Sequence, residues 1–303
     1  MLKSLLLIFF SLTLVARQVD TLQLPLHFSP ESIKPLKTLV SSDLQRSLNK
    51  MVQSNFVWAD LVKKKKMAVG LVDLNDPFNI RFASINGNHM MYAASLPKIA
   101  LLLTAFDAIN KGELKKTKSL DRDLHEMISI SSNEAATRVM DVLGYQKIES
   151  VLTDPEYQFY DEDNGGGLWV GKRYAKTGKR YGDPLNDISH GATADQVCRF
   201  YYQLAMGKLI NYRRSKEMLE ILGNVELHHK FIHSLDLIDP ESEAKVYRKS
   251  GTWEIYHSDS MLVWGPEHRK YILVALVEDR RGEKILQNMV PKIEYLLKSK
   301  RGR

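Results

Sequence analysis

A serine and a lysine stand three residues apart in Ser95-Leu96-Pro97-Lys98, directly before a strongly apolar segment. A serine hydroxyl is a weak nucleophile and needs a base within hydrogen-bond distance. A lysine amine can be that base when burial and neighbouring positive charge lower its pKa. On a helix this spacing puts both groups on one face, and the N–H groups at a helix start can help hold an oxyanion. The alternative is an N-cap serine followed by a surface lysine.

Two further short motifs follow along the chain. Ser131-Ser132-Asn133 precedes a predicted helix, where a hydroxyl could relay a proton to a leaving nitrogen and an amide could bind a substrate amide. Lys249-Ser250-Gly251-Thr252 ends a predicted strand, where a cation, a hydroxyl and a glycine suit a substrate carboxylate. Ordinary N-capping and a charged strand end are the respective alternatives. The three motifs occur in order, and each lies at the junction that its role requires. This arrangement favours a catalytic site over those alternatives.

The set resembles the penicillin-recognising serine enzymes, and the class A β-lactamases most closely, which carry Ser-x-x-Lys, Ser-Asp-Asn and Lys-Thr-Gly elements. The resemblance extends over about residues 40 to 300 in element order. It implies that Ser95 is the acylated nucleophile, Lys98 its base partner and Ser131 the proton relay. It also implies a substrate-binding set: Asn133 for an amide, Lys249 with Ser250 and Thr252 for a carboxylate, and the N–H groups of Ser95 and a residue after Gly251, Trp253, for the oxyanion.

The chain departs from class A β-lactamases in the long loop after the second motif. In that family a Glu-x-x-Leu-Asn stretch supplies the glutamate that activates water against the acyl-enzyme, and no such stretch occurs here. The nearest sequence starts at Asp183, and Glu162 lies nearer the expected position without the following residues. Residues 165–171 and 190–193 are instead similar to divergent bacterial serine hydrolases of the superfamily. We expect Asp183 or His190 to line the site, with Glu162 as a further candidate; the alternative is a surface acid and a helix-preceding histidine.

The order of the predicted elements indicates the fold that positions these motifs. A helix over 42–53 and strands over 67–73 and 79–85 precede a helical middle region, and strands over 245–249, 257–264 and 271–278 precede a last helix over 282–297. This order predicts an α+β fold: a five-stranded antiparallel sheet flanked by terminal helices, with an inserted all-α subdomain. We place the α/β subdomain at residues 40–92 and 240–303, and the all-α subdomain at residues 93–239.

Composition and the start of the chain bound the class of protein. The 303 residues are 44% hydrophobic and 26% charged, which excludes a disordered tail or a collagen-like fibre. The single cysteine excludes an intramolecular disulfide framework. Lys3 and the apolar run over 5–15 predict a signal peptide at residues 1–16, and that run is shorter than a membrane span. We expect export to the periplasm or the extracellular space; an uncleaved anchor is the alternative.

The remaining sequence features indicate no cofactor, metal or nucleic acid. The net charge of +7 comes without interleaved aromatics or a nucleic-acid-reading motif, so we interpret it as a solvated surface. No phosphate-binding loop or dinucleotide fingerprint occurs. His229 and His233 have a metal-binding spacing but lack further ligands, and we interpret them as helix surface.

The favoured interpretation is a monomeric exported serine hydrolase that forms an acyl-enzyme on Ser95 and hydrolyses β-lactam amides. A D-alanyl-D-alanine carboxypeptidase or transpeptidase acting on a cell-wall peptide is one alternative, because the two substrates share an acyl amide and a nearby carboxylate. A penicillin-binding sensor that is acylated without turnover is the other. The missing glutamate favours both alternatives, and the remaining framework favours the β-lactamase.

Overall fold

The computed structural model describes residues 33–241, 243–266 and 268–301, and the predicted signal peptide lies outside them. The α-helices in this part are α1 (Ser42–Gln53), α2 (Phe56–Lys63), α3 (Lys98–Asn110), α4 (Lys118–Ser129), α5 (Asn133–Leu143), α6 (Tyr145–Thr153), α7 (Ala194–Ala205), α8 (Tyr212–Leu222), α9 (Phe231–Ile238) and α10 (Gly282–Arg301). The strands are β1 (Met67–Asp73), β2 (Arg81–Ile85), β3 (Met91–Tyr92), β4 (Tyr160–Asp161), β5 (Gly166–Gly167), β6 (Trp169–Val170), β7 (His190–Ala192), β8 (Lys245–Trp253), β9 (Tyr256–Trp264) and β10 (Lys270–Glu278).

Five of these strands form one sheet in the order β2-β1-β10-β9-β8, and every neighbouring pair is antiparallel. The two ends of the chain supply it, with β1 and β2 from one end and β8 to β10 from the other. All seven residues of β1 are buried, because helices cover both faces of the sheet. The predicted five-stranded antiparallel sheet and α+β class are confirmed.

Each face of the sheet has its own hydrophobic core. The α1 and α10 side buries Leu44, Leu48 and Met289 against the sheet, as the apolar stripes of the two helices predict. On the opposite face α7 packs on β1 so closely that a Cβ at Gly70 would lie 2.5 Å from the Cys198 Sγ. Cys198 is therefore a buried packing residue, as its apolar neighbours predict.

Two differences from the predicted elements bear on the site. Strand β8 continues to Trp253, so the third motif lies inside an edge strand and not at its end. Helix α2 was not predicted, because its apolar stripe is short and is followed directly by the lysines over 63–66. Asn55 caps this helix by accepting from the Trp58 N–H at 3.2 Å.

The predicted all-α subdomain also contains short strands. Strands β6 and β7 lie in it and form a three-stranded sheet with β3 from the preceding α/β segment, and β4 pairs with β5. The backbone reverses where Gly165 and Gly166 take φ of 84° and 91°, a region open to glycine, and this reversal lets the glycine-rich segment pair. No helix in the described ranges is long and apolar enough to cross a membrane, and no cluster of three metal-ligating side chains occurs in them.

Candidate active site

Ser95 and Lys98 are placed by a tight turn and the helix that follows it. Helix α3 begins at Lys98, so Ser95 lies in the preceding turn, directly after Ala94 with φ of 53°. The Lys98 side chain is fully buried, and its Nζ donates to the Ser131 carbonyl at 2.7 Å and to the Asn133 Oδ1 at 2.9 Å. None of the hydrogen bonds found in the described residues joins this amine to the Ser95 hydroxyl. Lys98 instead links the first motif to the second.

Burial decides the protonation of Lys98. Loss of solvent lowers the pKa of this amine to about 7, with the nearby Glu134 carboxylate acting in the opposite direction. A large fraction of the amine is therefore neutral near neutral pH. A neutral amine can accept the proton of a nucleophilic hydroxyl.

Ser131 lies between two buried lysines. Its Oγ accepts from the Lys249 Nζ at 2.8 Å and lies 3.4 Å from the Lys98 Nζ. Burial, and then the charge of Lys98, holds the pKa of Lys249 well below its usual range. The Ser131 hydroxyl thus bridges two amines whose pKa values burial lowers, an arrangement that suits the passage of a proton. The structure thus brings the predicted proton relay together with a residue from each of the other two motifs.

Gly251 brings strand β8 against the Ser95 turn. A Cβ at this position would lie 2.7 Å from the Ser95 N and 2.2 Å from the Ala93 carbonyl oxygen, so only glycine allows the approach. Across the described residues the Ser95 N–H makes no hydrogen bond. It is available to a substrate oxygen beside the edge of β8.

The strand register changes the second oxyanion donor. Trp253 and Tyr256 are partners that close a two-residue hairpin, so the Trp253 N–H points toward β9. Because N–H groups alternate in direction along an antiparallel strand, the Thr252 N–H points away from β9, toward the site. The register therefore favours the Thr252 N–H as the second oxyanion donor, in place of the predicted N–H of Trp253, a residue that is 58% exposed.

The serine in the middle of the second motif has a structural role. Ser132 is the N-cap of α5: its Oγ accepts from the Ala135 N–H at 3.1 Å and lies 3.2 Å from Glu134 Oε2. Serine and aspartate are comparable N-caps. The departure from Ser-Asp-Asn therefore keeps the start of α5, and with it Asn133, in place.

The two predicted loop acids do not reach Lys98. The buried Asp183 carboxylate accepts from the Tyr160 hydroxyl at 2.9 Å and the Ile188 N–H at 2.6 Å, so it closes its own loop. Glu162 is exposed in a 3-10 turn. No hydrogen bond between either acid and Lys98 or Ser95 occurs in the described ranges. A buried carboxylate already satisfied by backbone and hydroxyl donors is not placed to activate water at Ser95.

His190 is buried in β7, where its imidazole packs against other side chains and does not act as a base. Its Nε2 lies 2.8 Å from the Lys172 carbonyl, so this nitrogen carries the proton and donates. Burial, with a smaller effect of the Lys98 charge, lowers the pKa of His190 to about 4. Its ring faces that of Tyr174 at 4.3 Å between centroids. His190 therefore packs on Tyr174, whose ring lies over the Lys98 amine.

The sequence of this chain matches the family described as "Beta-lactamase enzyme family" over residues 44–126 and 116–293. The chain belongs to that family. Its fold is similar to a β-lactamase from Sphaerobacter thermophilus, which is 17% identical with a TM-score of 0.60, covering 79% of this chain and 96% of that one. PBP-A is 16% identical with a TM-score of 0.61, covering 85% and 97%. An ancestral class A β-lactamase is 13% identical with a TM-score of 0.61, covering 80% and 98%. No curated protein matches the chain.

Within this β-lactamase-family chain, two residues that were not predicted reach the third motif. His229 places its Nε2 3.3 Å from the Ser250 Oγ. Lys230 is fully buried and donates from Nζ to the Thr252 Oγ1 at 2.7 Å and to the Gly251 carbonyl at 2.5 Å. The interpretation of His229 as helix surface was wrong, because α9 begins only at Phe231.

A buried ion pair holds the segment that carries these two residues. Arg248 on β8 binds Asp259 on β9 through Nη2 to Oδ2 at 2.7 Å and Nε to Oδ1 at 2.8 Å. The same Nη2 donates to the His229 carbonyl at 3.0 Å, and Asp259 accepts from the Phe231 N–H at 3.1 Å. The segment before α9 is thus fixed against the strand that carries the carboxylate anchor.

Proposed function

We propose that this chain is a serine hydrolase whose Ser95 is acylated by β-lactams. The observation that carries the proposal is the Ser131 hydroxyl between the Lys98 and Lys249 amines, beside the turn that holds Ser95. Neutral Lys98 takes the Ser95 proton as Oγ attacks the lactam carbonyl, once the amine turns from the Ser131 carbonyl to Oγ. Hydrogen bonds at catalytic sites often form fully only when substrate is bound.

The rest of the acylation follows from the same groups. The N–H groups of Ser95 and Thr252 hold the oxyanion of the tetrahedral intermediate. When the carbon–nitrogen bond breaks, Ser131 gives its proton to the leaving nitrogen and takes the proton held by Lys98. Lys249, with the hydroxyls of Ser250 and Thr252, binds the substrate carboxylate. The product of this step is an ester between the opened lactam and Ser95.

A D-alanyl peptidase acting on a cell-wall peptide is the second candidate. Among the described residues the loop acids Glu162 and Asp183 make no hydrogen bond with Lys98, so neither of them is in place to activate water against a penicilloyl ester. That observation supports slow turnover of β-lactams and is compatible with a physiological peptide substrate. A penicillin-binding sensor is the limiting case in which turnover is zero.

Mixing the mature chain with excess chromogenic cephalosporin separates these candidates. We expect a burst of ring opening close to one equivalent of protein, followed by a slower steady phase, because acylation outpaces release. A linear trace with rapid turnover from the first moment would contradict slow deacylation. A burst without any steady phase would favour the sensor, and release of D-alanine from an acyl-D-alanyl-D-alanine peptide would favour the peptidase.

We also propose that the chain is exported to the periplasm or the extracellular space and acts there as a monomer. The pattern of Lys3 and the apolar run over 5–15 supports export. N-terminal sequencing of the protein recovered outside the cytoplasm should begin after residue 16. A sequence that begins at Met1 would contradict cleavage.

A further inference from the structure

Tyr174 covers the amine of the first motif. It lies in the loop between β6 and β7, and its ring centroid is 4.5 Å from the Lys98 Nζ. Its hydroxyl donates to the Ala94 carbonyl at 3.3 Å, one residue before Ser95. An ammonium over an aromatic face is attracted to it and loses water on that side. The ring therefore occupies the approach to Lys98 from the loop.

The segment around Tyr174 is clamped on both sides. The His190 ring packs on Tyr174, and its Nε2 donates to the carbonyl of Lys172. The Arg173 N–H donates to the Tyr145 hydroxyl at 3.1 Å, and the Arg173 guanidinium pairs with Asp141 on α5. Contacts from β7, α5 and α6 thus fix the ring where it lies. A tyrosine held in this way acts as a fixed wall of the site.

The chemistry of the phenol excludes it as a replacement for a catalytic carboxylate. Burial holds the pKa of Tyr174 well above its usual range, so the hydroxyl stays protonated near neutral pH. It already donates to the Ala94 carbonyl. Tyr174 can exclude water from the site, but it cannot take a proton from water.

We propose that Tyr174 sets the lifetime of the acyl-enzyme by covering the Lys98 amine and keeping water from the Ser95 ester. This inference rests on the proposed acylation of Ser95. Hydrolysis of the ester needs a water molecule that gives a proton to neutral Lys98 and attacks the ester carbonyl. The carbon–oxygen bond to Ser95 then breaks, and Lys98 returns the proton to the Ser95 oxygen. With the ring in place, water has no access to the loop side of the amine.

The test compares deacylation in Tyr174→Ala, Tyr174→Phe and the wild type, followed by intact mass after acylation with benzylpenicillin and removal of free drug. We expect Tyr174→Ala to shorten the adduct lifetime by about tenfold or more, because a general base then reaches water. Tyr174→Phe keeps the ring and should stay within about threefold of the wild type. Deacylation of Tyr174→Ala should also rise with pH, since Lys98, surrounded by Lys249, Glu134 and His190, must be neutral.

Tyr181→Ala is the matched control for general loosening of the loop. Tyr181 lies in the same loop but packs on Tyr145, with 4.6 Å between centroids, and within the described ranges it makes no hydrogen bond or ring contact with Lys98. Its adduct lifetime should stay close to that of the wild type. Equal lifetimes in the wild type and Tyr174→Ala, or equal shortening by Tyr174→Ala and Tyr181→Ala, would overturn the inference.

Two further readouts keep the outcomes separate. If Tyr174→Ala does not fold, Tyr174→Leu is the replacement variant, because leucine retains apolar bulk without the flat ring. Its adduct lifetime should be shorter than that of Tyr174→Phe. An unchanged lifetime in Tyr174→Leu would again count against the inference. Absence of any adduct on the wild type would overturn the proposed function itself, and a normal adduct with an insensitive lifetime would overturn only the role of Tyr174.

Discussion

Replacing Lys98 with methionine should slow acylation of Ser95 by about 10²- to 10⁴-fold, the contribution usual for a positioned general base. Methionine is an unbranched, flexible side chain that fills the same buried space without an amine. The variant loses the donor to the Ser131 carbonyl and the Asn133 Oδ1, and we expect α3 to keep its fold because methionine fills the same space. Stopped-flow acylation by a β-lactam measures the loss.

The pH dependence of acylation distinguishes a lost base from a disturbed site. Burial lowers the pKa of Lys98 to about 7, and only the neutral amine accepts a proton. The wild-type rate should therefore rise as pH increases through about 7 and level off above it, with Lys249, Glu134 and His190 as the neighbouring titratable groups. The rise should be absent in Lys98→Met. Lys208→Met, at an exposed position, serves as control; a Lys98→Met variant with wild-type rate and pH profile would contradict the assignment.

Replacing Asp259 with alanine should lower the free energy of unfolding by about 3–5 kcal/mol. The change leaves the Arg248 guanidinium buried without its bidentate partner and removes the acceptor of the Phe231 N–H. An unpaired buried charge is among the costliest single defects in a folded protein. Urea unfolding followed by circular dichroism measures the difference.

An exposed ion pair provides the matched control for Asp259. Asp60 on α2 and Lys64 at the C-cap of that helix are both partly exposed, and they pair one helical turn apart. Asp60→Ala should cost less than about 1 kcal/mol, as is usual for surface pairs. Similar losses in Asp60→Ala and Asp259→Ala would show that the Arg248–Asp259 pair does not hold the segment before α9.

Local sequence signals predicted the sheet and the three motifs. The limits of α1 and β1 are as predicted, because an N-cap serine and an uninterrupted apolar run mark them within a few residues. The Lys98 and Lys249 motifs, both visible in the sequence, meet at Ser131. These features depend on short-range patterns that a sequence displays directly.

Features fixed by tertiary contacts could not be predicted in the same way. His229 and Lys230 reach the third motif only because Arg248 and Asp259, far along the chain, hold the segment that carries them. Tyr174 stands in a loop without a periodic pattern, and its position over Lys98 depends on contacts from three other elements. Asp183 resembles a catalytic acid by sequence, yet its carboxylate already accepts hydrogen bonds from the Tyr160 hydroxyl and the Ile188 N–H.

Intact-protein mass spectrometry of the wild type and Ser95→Ala, each mixed with benzylpenicillin and then digested for peptide mapping, tests the central claim most directly. The account predicts one added penicillin on the wild type, located on the peptide that contains Ser95, and none on Ser95→Ala. An adduct of equal extent on both proteins, or none on the wild type, would contradict acylation of Ser95 as the basis of function.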